Sequence, residues 1–419
     1  MKVSGIIAEY NPFHNGHAYH LAETRRTSGS DYIIVVMSGN YVQRGAPTIT
    51  DKYSRAQMAL KCGADLVLEL PVCFSSASAE YFAFGGVAIL DRLGVVDEIC
   101  FGTETLDNSS DGEEVLVEEL SAIADLMLNE PSEYKNILKE GLQSGLSNAA
   151  ARAKAVEEIL GKKYLDILET SNNILAVEYI KSLKRIGSSI KPAPVARKMT
   201  SHNDTVIKSG YSSATAIRNA IYSKYSLSSL SGTLPEEAYK ILIDQYLVSF
   251  PVFRDDYSLL FGSILMNAKE TEDLTKYFGV NADLANRMLK NKNEFRTFRQ
   301  FRDLISAKNI TKATAGRAMI HITLGILKSD MEKMYTSQAL SAVKMLGFKK
   351  EAQPLLSEIK RSGQIKLVSK LADHEPDPDN YGADMIAQTT RADMIYRMVC
   401  MNKFDAYLKN PYEKEVIII

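Results

Sequence analysis

Two histidines near the amino terminus, His14 and His17, lie between a short apolar segment and a helical pattern. The apolar segment, residues 3–8, is nearly continuous, which is typical of a buried parallel strand. Pro12 interrupts it, so the chain must turn before the helical pattern of residues 17–26 begins. Both imidazoles are therefore expected at a strand-to-helix junction, where free amides and the positive end of the helix dipole favour an anion.

The spacing of these histidines suits phosphate chemistry. They are three residues apart, so on a helical turn both rings can face one phosphate, and Gly16 lets a ligand approach the backbone. Three of the six histidines, His14, His17 and His20, fall within seven residues. Two surface histidines at a helix start, or a fortuitous metal pair, are the alternatives. We predict a nucleotide-phosphate site, because phosphoryl transfer needs positioning and charge neutralisation more than covalent help.

The elements that must hold these rings alternate between strand and helix patterns. Further buried-strand patterns cover residues 32–37, 64–70 and 98–101, and the proline-containing segment 189–197 predicts an edge strand. Such alternation predicts a parallel sheet that binds ligands at the carboxyl ends of its strands. It fades after Ile221, and residues 223–233 form a plausible linker. We predict an α/β, Rossmann-like parallel-sheet domain over residues 1–225, followed by a mostly α-helical domain over residues 226–419.

A second polar cluster opens a later helical pattern. Ser213 can cap that helix, Thr215 falls in its first turn, and Arg218 lies five residues past Ser213. An ordinary N-cap with a surface arginine would give the same pattern. Helix capping would likewise account for Asn173, which with Asn172 precedes an apolar helical segment.

Charge is spread unevenly along a chain whose net charge is -1. Between Leu93 and Tyr134 there are twelve acidic residues and no lysine or arginine, whereas residues 287–317 hold nine basic residues against two acidic ones. Within the basic segment phenylalanines and arginines each recur every three residues: Phe295, Phe298 and Phe301, and Arg296, Arg299 and Arg302. This predicts an amphipathic helix whose aromatic face enters the core. The arginines could simply face water, but the net excess of positive charge predicts contact with a phosphate backbone.

Composition sets the broad class. An apolar content of 45% with 24% charged residues over 419 residues is that of a soluble globular protein of two or three domains. The four cysteines have no metal or disulfide spacing, which favours buried thiols in a reducing cytoplasm. No apolar run is long enough to span a bilayer, so no membrane association is expected.

Two signatures in this order resemble those of the HIGH-type nucleotidyltransferases. They are His-Asn-Gly-His at 14–17 and Ser-Ser-Ala-Thr-Ala-Ile-Arg at 212–218, the second with an alanine inserted before the threonine. In that superfamily the imidazoles hold the α-phosphate of ATP and the second motif contacts the β- and γ-phosphates. The chain is also similar to the bacterial tRNA(Met) cytidine acetate ligases. The similarity lies in longer runs at residues 9–17, 37–45, 63–71, 101–104 and 172–175, and in the spacing of Lys312, Thr314 and Arg317. One departure from that family follows Ser147, where the resemblance leads us to expect an aromatic-proline pair and this sequence has Asn148-Ala149.

The resemblance implies an enzyme that converts acetate and ATP to acetyl-adenylate and then acetylates N4 of the wobble cytidine of elongator tRNA(Met), leaving AMP. Mg2+ is expected to accompany ATP, although no acidic cluster has ligand spacing, and no protein partner is evident. His14 and His17 are the implied catalytic residues, and Gln43 and Arg44 are the candidates for holding acetate. The implied ATP-binding residues are Ile7, Ala8, Glu9, Tyr10, Asn11, Pro12, Phe13, His14, Asn15, Gly16, His17, Ala18, Tyr19, His20, Gly102, Asn172, Arg197, Ser213, Thr215 and Arg218. The predicted tRNA-binding residues are Arg296, Arg299, Arg302, Lys312 and Arg317.

Two other functions fit the phosphate signatures alone. One is an adenylyltransferase that makes a dinucleotide cofactor without RNA, which would leave the basic helical segment unexplained. The other is an inactive nucleotide-binding module that serves as an RNA adaptor.

Overall fold

The computed structural model describes residues 1–105, 112–197, 210, 212–223, 226–374 and 381–419. Parts of the predicted acidic stretch (106–111) and of the predicted linker (224–225) lie outside these ranges. The strands are β1 Val3–Ala8, β2 Tyr32–Ser38, β3 Tyr41–Val42, β4 Ala46–Pro47, β5 Leu66–Leu70, β6 Glu98–Thr103, β7 Lys191–Ala196, β8 Ala342–Phe348, β9 Lys366–Val368 and β10 Ile417–Ile418.

The helices run along the whole described chain. They are α1 Asn15–Ser28, α2 Lys52–Lys61, α3 Val72–Ser75, α4 Ala79–Arg92, α5 Gly112–Asn129, α6 Ser132–Gln143, α7 Asn148–Leu160, α8 Lys162–Ile167, α9 Ser171–Ile186, α10 Ala214–Tyr222, α11 Glu236–Asp244, α12 Ser258–Asn267, α13 Thr271–Thr275, α14 Ala282–Asn291, α15 Phe298–Ile305, α16 Lys312–Leu324, α17 Lys328–Met334, α18 Gln353–Ser362 and α19 Tyr381–Phe404.

One mixed sheet forms the centre of the molecule. Its order is β10-β8-β5-β2-β1-β6-β7, with β9 beside β8. The five strands from β5 to β7 are mutually parallel, whereas β8 runs antiparallel to β5. The chain builds β1, β2 and β5 in one direction and then crosses back to β6, so the order reverses between β1 and β6. In open sheets of this kind the crevice at the reversal point is where ligands bind.

Both faces of the sheet are covered, which explains the continuous apolar strand patterns. On β2, Ile34 and Val36 pack into the core beneath α4, while Ile33 and Val35 pack on the other side with residues of α1 and α2. Each of these side chains is fully buried. Burial of one such side chain stabilises the fold by roughly 1.5–3 kcal/mol.

The predicted α/β class is confirmed, and the predicted strand over residues 3–8 coincides with β1. The proline-containing segment forms β7, which among the described residues pairs with β6 alone and so lies at the edge of the sheet, as predicted. The short antiparallel pair β3–β4 was not predicted. All four cysteine thiols are free, with Cys62 half-buried and the other three buried.

Strands of the C-terminal half join the same sheet. The helical spacing after residue 226 predicted no strands there, yet β8 pairs with β5, and β9 and β10 flank β8. The sheet therefore continues past the predicted boundary between residues 225 and 226, and the helical elements of the second half pack onto it. The division of the chain into two domains stays a prediction.

A buried ionic network fastens the last long helix to the sheet. The Lys52 ammonium lies 2.6 Å from both carboxylate oxygens of Glu69 on β5 and also contacts Asp393 on α19. Asn40 donates a second hydrogen bond of 2.9 Å to Asp393. The two carboxylates raise the pKa of Lys52 against the lowering effect of its burial. Loss of the Lys52 charge would leave two buried carboxylates without their cation, at a cost of about 3–5 kcal/mol.

Candidate active site

A deep cleft opens at the carboxyl ends of β1, β6 and β7, where the strand order reverses. Its volume is about 1730 Å³, part of which is open to solvent. Sixteen of the twenty predicted ATP-binding residues line it, and so do Gln43 and Arg44. The four that do not are Pro12, Phe13, Asn15 and Ala18. Phe13 is instead buried against the Tyr10 ring, and the Asn15 amide donates to the Gly210 carbonyl.

The two imidazoles are oriented by the first turn of α1. His14 is the N-cap residue, and its Nδ1 accepts a hydrogen bond of 3.1 Å from the Gly16 amide. Nδ1 of His17 accepts one of 3.2 Å from the His14 amide, and the two rings stack with their centres 3.7 Å apart. Because both Nδ1 atoms are acceptors, each neutral ring carries its proton on Nε2. Both rings line the cleft, so the pair is built to donate from Nε2.

His20 lies one turn further along α1. Burial, with a smaller contribution from the Arg197 charge, lowers the pKa of its imidazole to about 4. Within the described part of the chain its Nε2 atom is buried without a hydrogen-bond partner. This ring is therefore neutral at physiological pH.

The second polar cluster meets the first across the cleft. Ser213 caps α10, as predicted, by accepting from the Ala216 amide at 3.1 Å. Arg218 donates to the Asn11 carbonyl at 2.6 Å and to the Thr215 hydroxyl at 3.1 Å. Burial lowers the pKa of Arg218 to about 10, which leaves it fully cationic near neutral pH. The arrangement brings a fixed guanidinium to the same cleft as the histidines.

A third group forms the floor beside β6 and β7. Arg197 donates to Glu104 at 3.0 Å, and the Asn172 amide donates to the same oxygen at 2.5 Å. A Cβ atom on Gly102 would lie 3.1 Å from Cγ of Arg197, so a side chain there would crowd the arginine. Glu104 was absent from the predicted site, although it immediately follows β6, and it positions two residues that were predicted.

Capping explains neither asparagine at the start of α9. The helix begins at Ser171 with Thr170 as its N-cap residue, so Asn172 and Asn173 both lie in the first turn. Asn173 is fully buried; it accepts from the Thr103 hydroxyl at 2.8 Å and donates to the Ile167 carbonyl at 3.0 Å. It therefore holds the end of β6 against α9, whereas Asn172 lines the cleft.

The loop of residues 43–45 forms one wall of the cleft and is held from two sides. The backbone amide of Gln43 donates a hydrogen bond of 3.0 Å to Oε1 of Glu9. Arg254 donates to the carbonyls of Gly45 at 3.2 Å and Arg44 at 3.1 Å, and Arg317 donates to that of Gln43 at 3.4 Å. Burial lowers the pKa of Arg254 to about 9, and the neighbouring arginines contribute to that lowering.

A fully buried arginine organises the ends of β1 and β2. Arg55 donates to the carbonyls of Glu9 at 2.7 Å and Ser38 at 3.0 Å, and also to that of Gly39. Sequence reasoning missed Arg55 and Arg254, since a carbonyl-binding arginine leaves no motif. It also missed the aromatic residues Phe82, Phe101 and Tyr179 of the lining, whose only signal was their helix or strand pattern.

The predicted tRNA-binding residues separate into two groups. Arg296, Arg299 and Lys312 are exposed, and the Arg299 guanidinium lies 5.0 Å from the centre of the Tyr222 ring. Arg302 is buried and binds Asp303 at 2.6 Å, while Arg317 is half-buried against the loop of residues 43–45.

The predicted helix across the basic segment is shorter than expected. Helix α15 begins at Phe298 with Thr297 as its N-cap residue, so Arg296 precedes it. Phe298 and Phe301 are fully buried, as predicted for the aromatic face, and the Phe295 ring packs 5.3 Å from that of Phe301.

The described lining of the cleft has the donors for an anionic ligand but no set of carboxylates for a metal. Within its described lining, Glu9 is the one carboxylate beside imidazole, guanidinium, amide and hydroxyl groups. Across the described ranges, no three or more His, Cys, Asp or Glu residues are grouped so that they could hold a metal ion. No helix in the described part of the chain has the length and apolarity needed to cross a membrane.

Comparisons with known proteins agree with this geometry. The model of the HIGH Nucleotidyl Transferase family matches residues 1–410. A tRNA(Met) cytidine acetate ligase of Acetivibrio thermocellus is 39% identical over 379 residues, which is 89% of each chain.

Two crystal structures of Thermotoga maritima TmcAL are similar along the whole chain. Both are 31% identical and cover 100% of this chain. The apo form has a TM-score of 0.91 and is covered over 100% of its length, and the form bound with alpha-thio ATP has a TM-score of 0.88 and is covered over 99%.

Proposed function

The chain belongs to the HIGH nucleotidyl transferase family, and from that premise we propose that it is an ATP-dependent ligase acting on tRNA(Met). It activates acetate with ATP to acetyl-adenylate, releasing pyrophosphate. It then transfers the acetyl group to N4 of the wobble cytidine of elongator tRNA(Met), giving N4-acetylcytidine and AMP. Relatives with 35–39% identity over most of the chain carry the name tRNA(Met) cytidine acetate ligase.

In the first step, an acetate oxygen attacks the α-phosphorus of ATP and the bond to the β-phosphate oxygen breaks. His14 and His17, donating from Nε2, stabilise the charge that grows on the α-phosphoryl oxygens. Arg218, with Ser213 and Thr215, holds the departing pyrophosphate. A guanidinium fixed by the Asn11 carbonyl costs little reorganisation when the leaving group develops its charge.

The remaining parts of the cleft bind the two organic groups. Adenosine lies along the segment of residues 7–20 and beside Gly102, with Asn172 and Arg197 as donors. Gln43 and Arg44 form the acetate pocket, since a small anion needs amide and cationic donors at close range. ATP as the nucleotide is supported by the similar Thermotoga maritima TmcAL bound with alpha-thio ATP. Magnesium would arrive bound to the phosphates of ATP, and no step here depends on it.

In the second step the RNA must reach the same cleft. The wobble base is single-stranded, so it can turn out of its stack and enter beside the acyl group. The exposed cations Arg296, Arg299 and Lys312 bind the tRNA backbone, while Arg302 and Arg317 support the adjoining wall. Free thiols and an RNA substrate both fit the cytoplasm, which we propose as the compartment.

One observation carries this function: the two signatures, nearly two hundred residues apart in sequence, line one cleft at the reversal point of the sheet. The test is mass spectrometry of tRNA(Met) nucleosides after incubation with ATP and acetate. N4-acetylcytidine, together with AMP that requires both acetate and tRNA, is the expected result. AMP incorporated into a dinucleotide would instead indicate a cofactor-forming adenylyltransferase, and no turnover would indicate an RNA adaptor.

A further inference from the structure

The acyl-transfer step leaves one proton to be placed. When N4 of cytosine attacks the acyl carbon, a C–N bond forms, the C–O bond to AMP breaks, and the electron pair of that bond leaves with the AMP phosphate. The attacking nitrogen then carries one proton too many. A side chain that accepts it within hydrogen-bond reach would accelerate the step.

The described lining of the cleft offers few groups that could accept this proton. Nδ1 of His14 and Nδ1 of His17 already accept backbone hydrogen bonds, so the neutral rings present a protonated Nε2. His20 is half-buried with its Nε2 atom buried, and desolvation lowers its pKa to about 4. Arg44, Arg197 and Arg218 are donors only. Glu9 remains, the one carboxylate in that lining.

The carboxylate of Glu9 is held in place by one oxygen. Oε1 accepts a hydrogen bond of 3.0 Å from the backbone amide of Gln43. Among the described residues, none donates a hydrogen bond to Oε2. Glu9 follows β1 directly and lines the cleft together with Gln43, Arg44 and both imidazoles of the first signature. It therefore stands where the acyl group and its acceptor would meet in the proposed reaction.

We propose that Glu9 receives the acceptor base: its second carboxylate oxygen accepts a hydrogen bond from the cytosine N4 amine, aims that nitrogen at the acyl carbon, and takes its proton. This inference rests on the proposed function. A carboxylate is also the group that selects cytosine at its amino edge, because uracil presents a carbonyl acceptor at the same position. Glu9 thus contributes both to the proton transfer and to the choice of base.

The surroundings of Glu9 suit a proton acceptor. Burial raises the pKa of its carboxyl, whereas the Gln43 amide and the charges of Arg218, Arg44 and Arg55 act to lower it. The pKa of the Tyr179 phenol on α9 is raised by burial and, to a smaller extent, by the negative charge of Glu9. A base whose pKa is brought closer to the working pH transfers protons more effectively.

The experiment compares the two half-reactions in Glu9→Gln. Glutamine keeps an oxygen that can accept the Gln43 amide, so it preserves the loop while removing the base. Acetate-dependent ATP–pyrophosphate exchange measures adenylation, and single-turnover transfer to tRNA(Met) is followed across pH. We expect transfer to slow by about a hundredfold or more relative to adenylation in the same variant. We expect the wild-type transfer rate to rise with pH, and this rise should disappear in the variant.

Two further variants keep the test decisive. The control is Glu113→Gln, which changes an exposed carboxylate in the first turn of α5 and should keep the wild-type pH profile.

Should Glu9→Gln fail to fold, Glu9→Asp must slow transfer while keeping the rise with pH, because the base is displaced but still present. Wild-type transfer in Glu9→Asp would overturn the inference. So would an unchanged pH profile in Glu9→Gln, because the proton would then have an acceptor other than Glu9. If the wild type itself makes acetyl-adenylate but no N4-acetylcytidine, the proposed function fails, and the role of Glu9 fails with it.

Discussion

The two imidazoles of the first signature depend on backbone amides for their orientation. His14 and His17 each use Nδ1 to accept a hydrogen bond from a backbone amide at the start of α1. The helix therefore gains a cap from the same contacts that orient the rings for the proposed catalysis. Stability and chemistry are coupled in these two side chains, so their substitution should affect both.

Replacement of His14 or His17 by alanine should slow adenylate formation by about a hundredfold or more, since each removes a donor to the reacting phosphoryl group. Acetate-dependent pyrophosphate exchange measures this effect, and filter retention of labelled tRNA should stay at the wild-type level. His374→Ala, outside the cleft lining, is the matched histidine control. Normal exchange in either signature variant would remove that imidazole from the chemistry.

The half-buried ring of His20, whose Nε2 atom is buried, makes stability depend on pH. Its pKa is lowered by burial to about 4 in the folded protein, whereas the unfolded chain binds the proton near 6.5. Folding is therefore favoured above pH 6.5, and this contribution is lost as the pH falls from 6.5 towards 4. From pH 8 to pH 5 the wild type should lose about 2 kcal/mol more than His20→Gln. Urea unfolding of both proteins at the two pH values measures the difference; equal losses would show that the ring titrates normally.

At the scale of elements, the wall formed by residues 43–45 joins the two halves of the chain. It lies after the short strand β3 and packs against α16, and Arg254 donates to two of its carbonyls. Gly45 has a φ of +60°, and a Cβ atom there would lie 2.1 Å from the Arg317 nitrogen. The close approach of α16 to this loop thus requires glycine for two separate reasons, backbone conformation and space.

A pair of glycine substitutions separates these reasons. Gly29 has a φ of +64°, and no atom lies within 4 Å of the position that its Cβ would occupy, so Gly29→Ala should cost only the backbone strain of about 1–2 kcal/mol. Gly45→Ala meets the same strain and the backbone of α16 as well, which should add about 1–3 kcal/mol. Denaturant unfolding of both variants gives the comparison. Equal losses of stability would mean that α16 does not pack closely on the loop.

At the scale of the whole molecule, the C-terminal half completes both the sheet and the cleft. It supplies β8 to the sheet, Asp393 to the buried ionic network, and Arg254 and Arg317 to the wall beside Glu9. The exposed cations near α15 and α16 belong to the same half. We therefore expect the proposed tRNA-binding face and the proposed active-site cleft to be rigidly connected, so that a bound anticodon would be presented to the acyl group.

A triple variant reverses the charge of the exposed cations, with the changes Arg296→Glu, Arg299→Glu and Lys312→Glu. It should bind tRNA more weakly, and its affinity should depend less on salt concentration, because fewer counterions are released. The control reverses three exposed lysines on the far helices α6 and α8, in Lys135→Glu, Lys139→Glu and Lys162→Glu. Filter binding over a series of salt concentrations measures both slopes. Equal slopes for the two triple variants would exclude the basic face as the RNA contact.

The sequence alone determined much of the catalytic half. Buried strands, capping residues and the two signatures are local patterns, set by backbone sterics and by burial within a few residues, and so β1, the cap at Ser213 and the edge position of β7 followed from them. The buried aromatic face of α15 could also be predicted, since its spacing repeats every helical turn.

Only the tertiary structure decided how distant segments meet. The pairing of β8 with β5, the salt bridge between Lys52 and Asp393, and the arginines that bind loop carbonyls each join residues far apart in the chain. Whether an arginine of the basic segment faces water or is withdrawn, as Arg302 is, depends likewise on what packs over it. Such contacts leave no periodic trace, because their free energy comes from long-range burial and charge compensation that become defined only once the chain has folded.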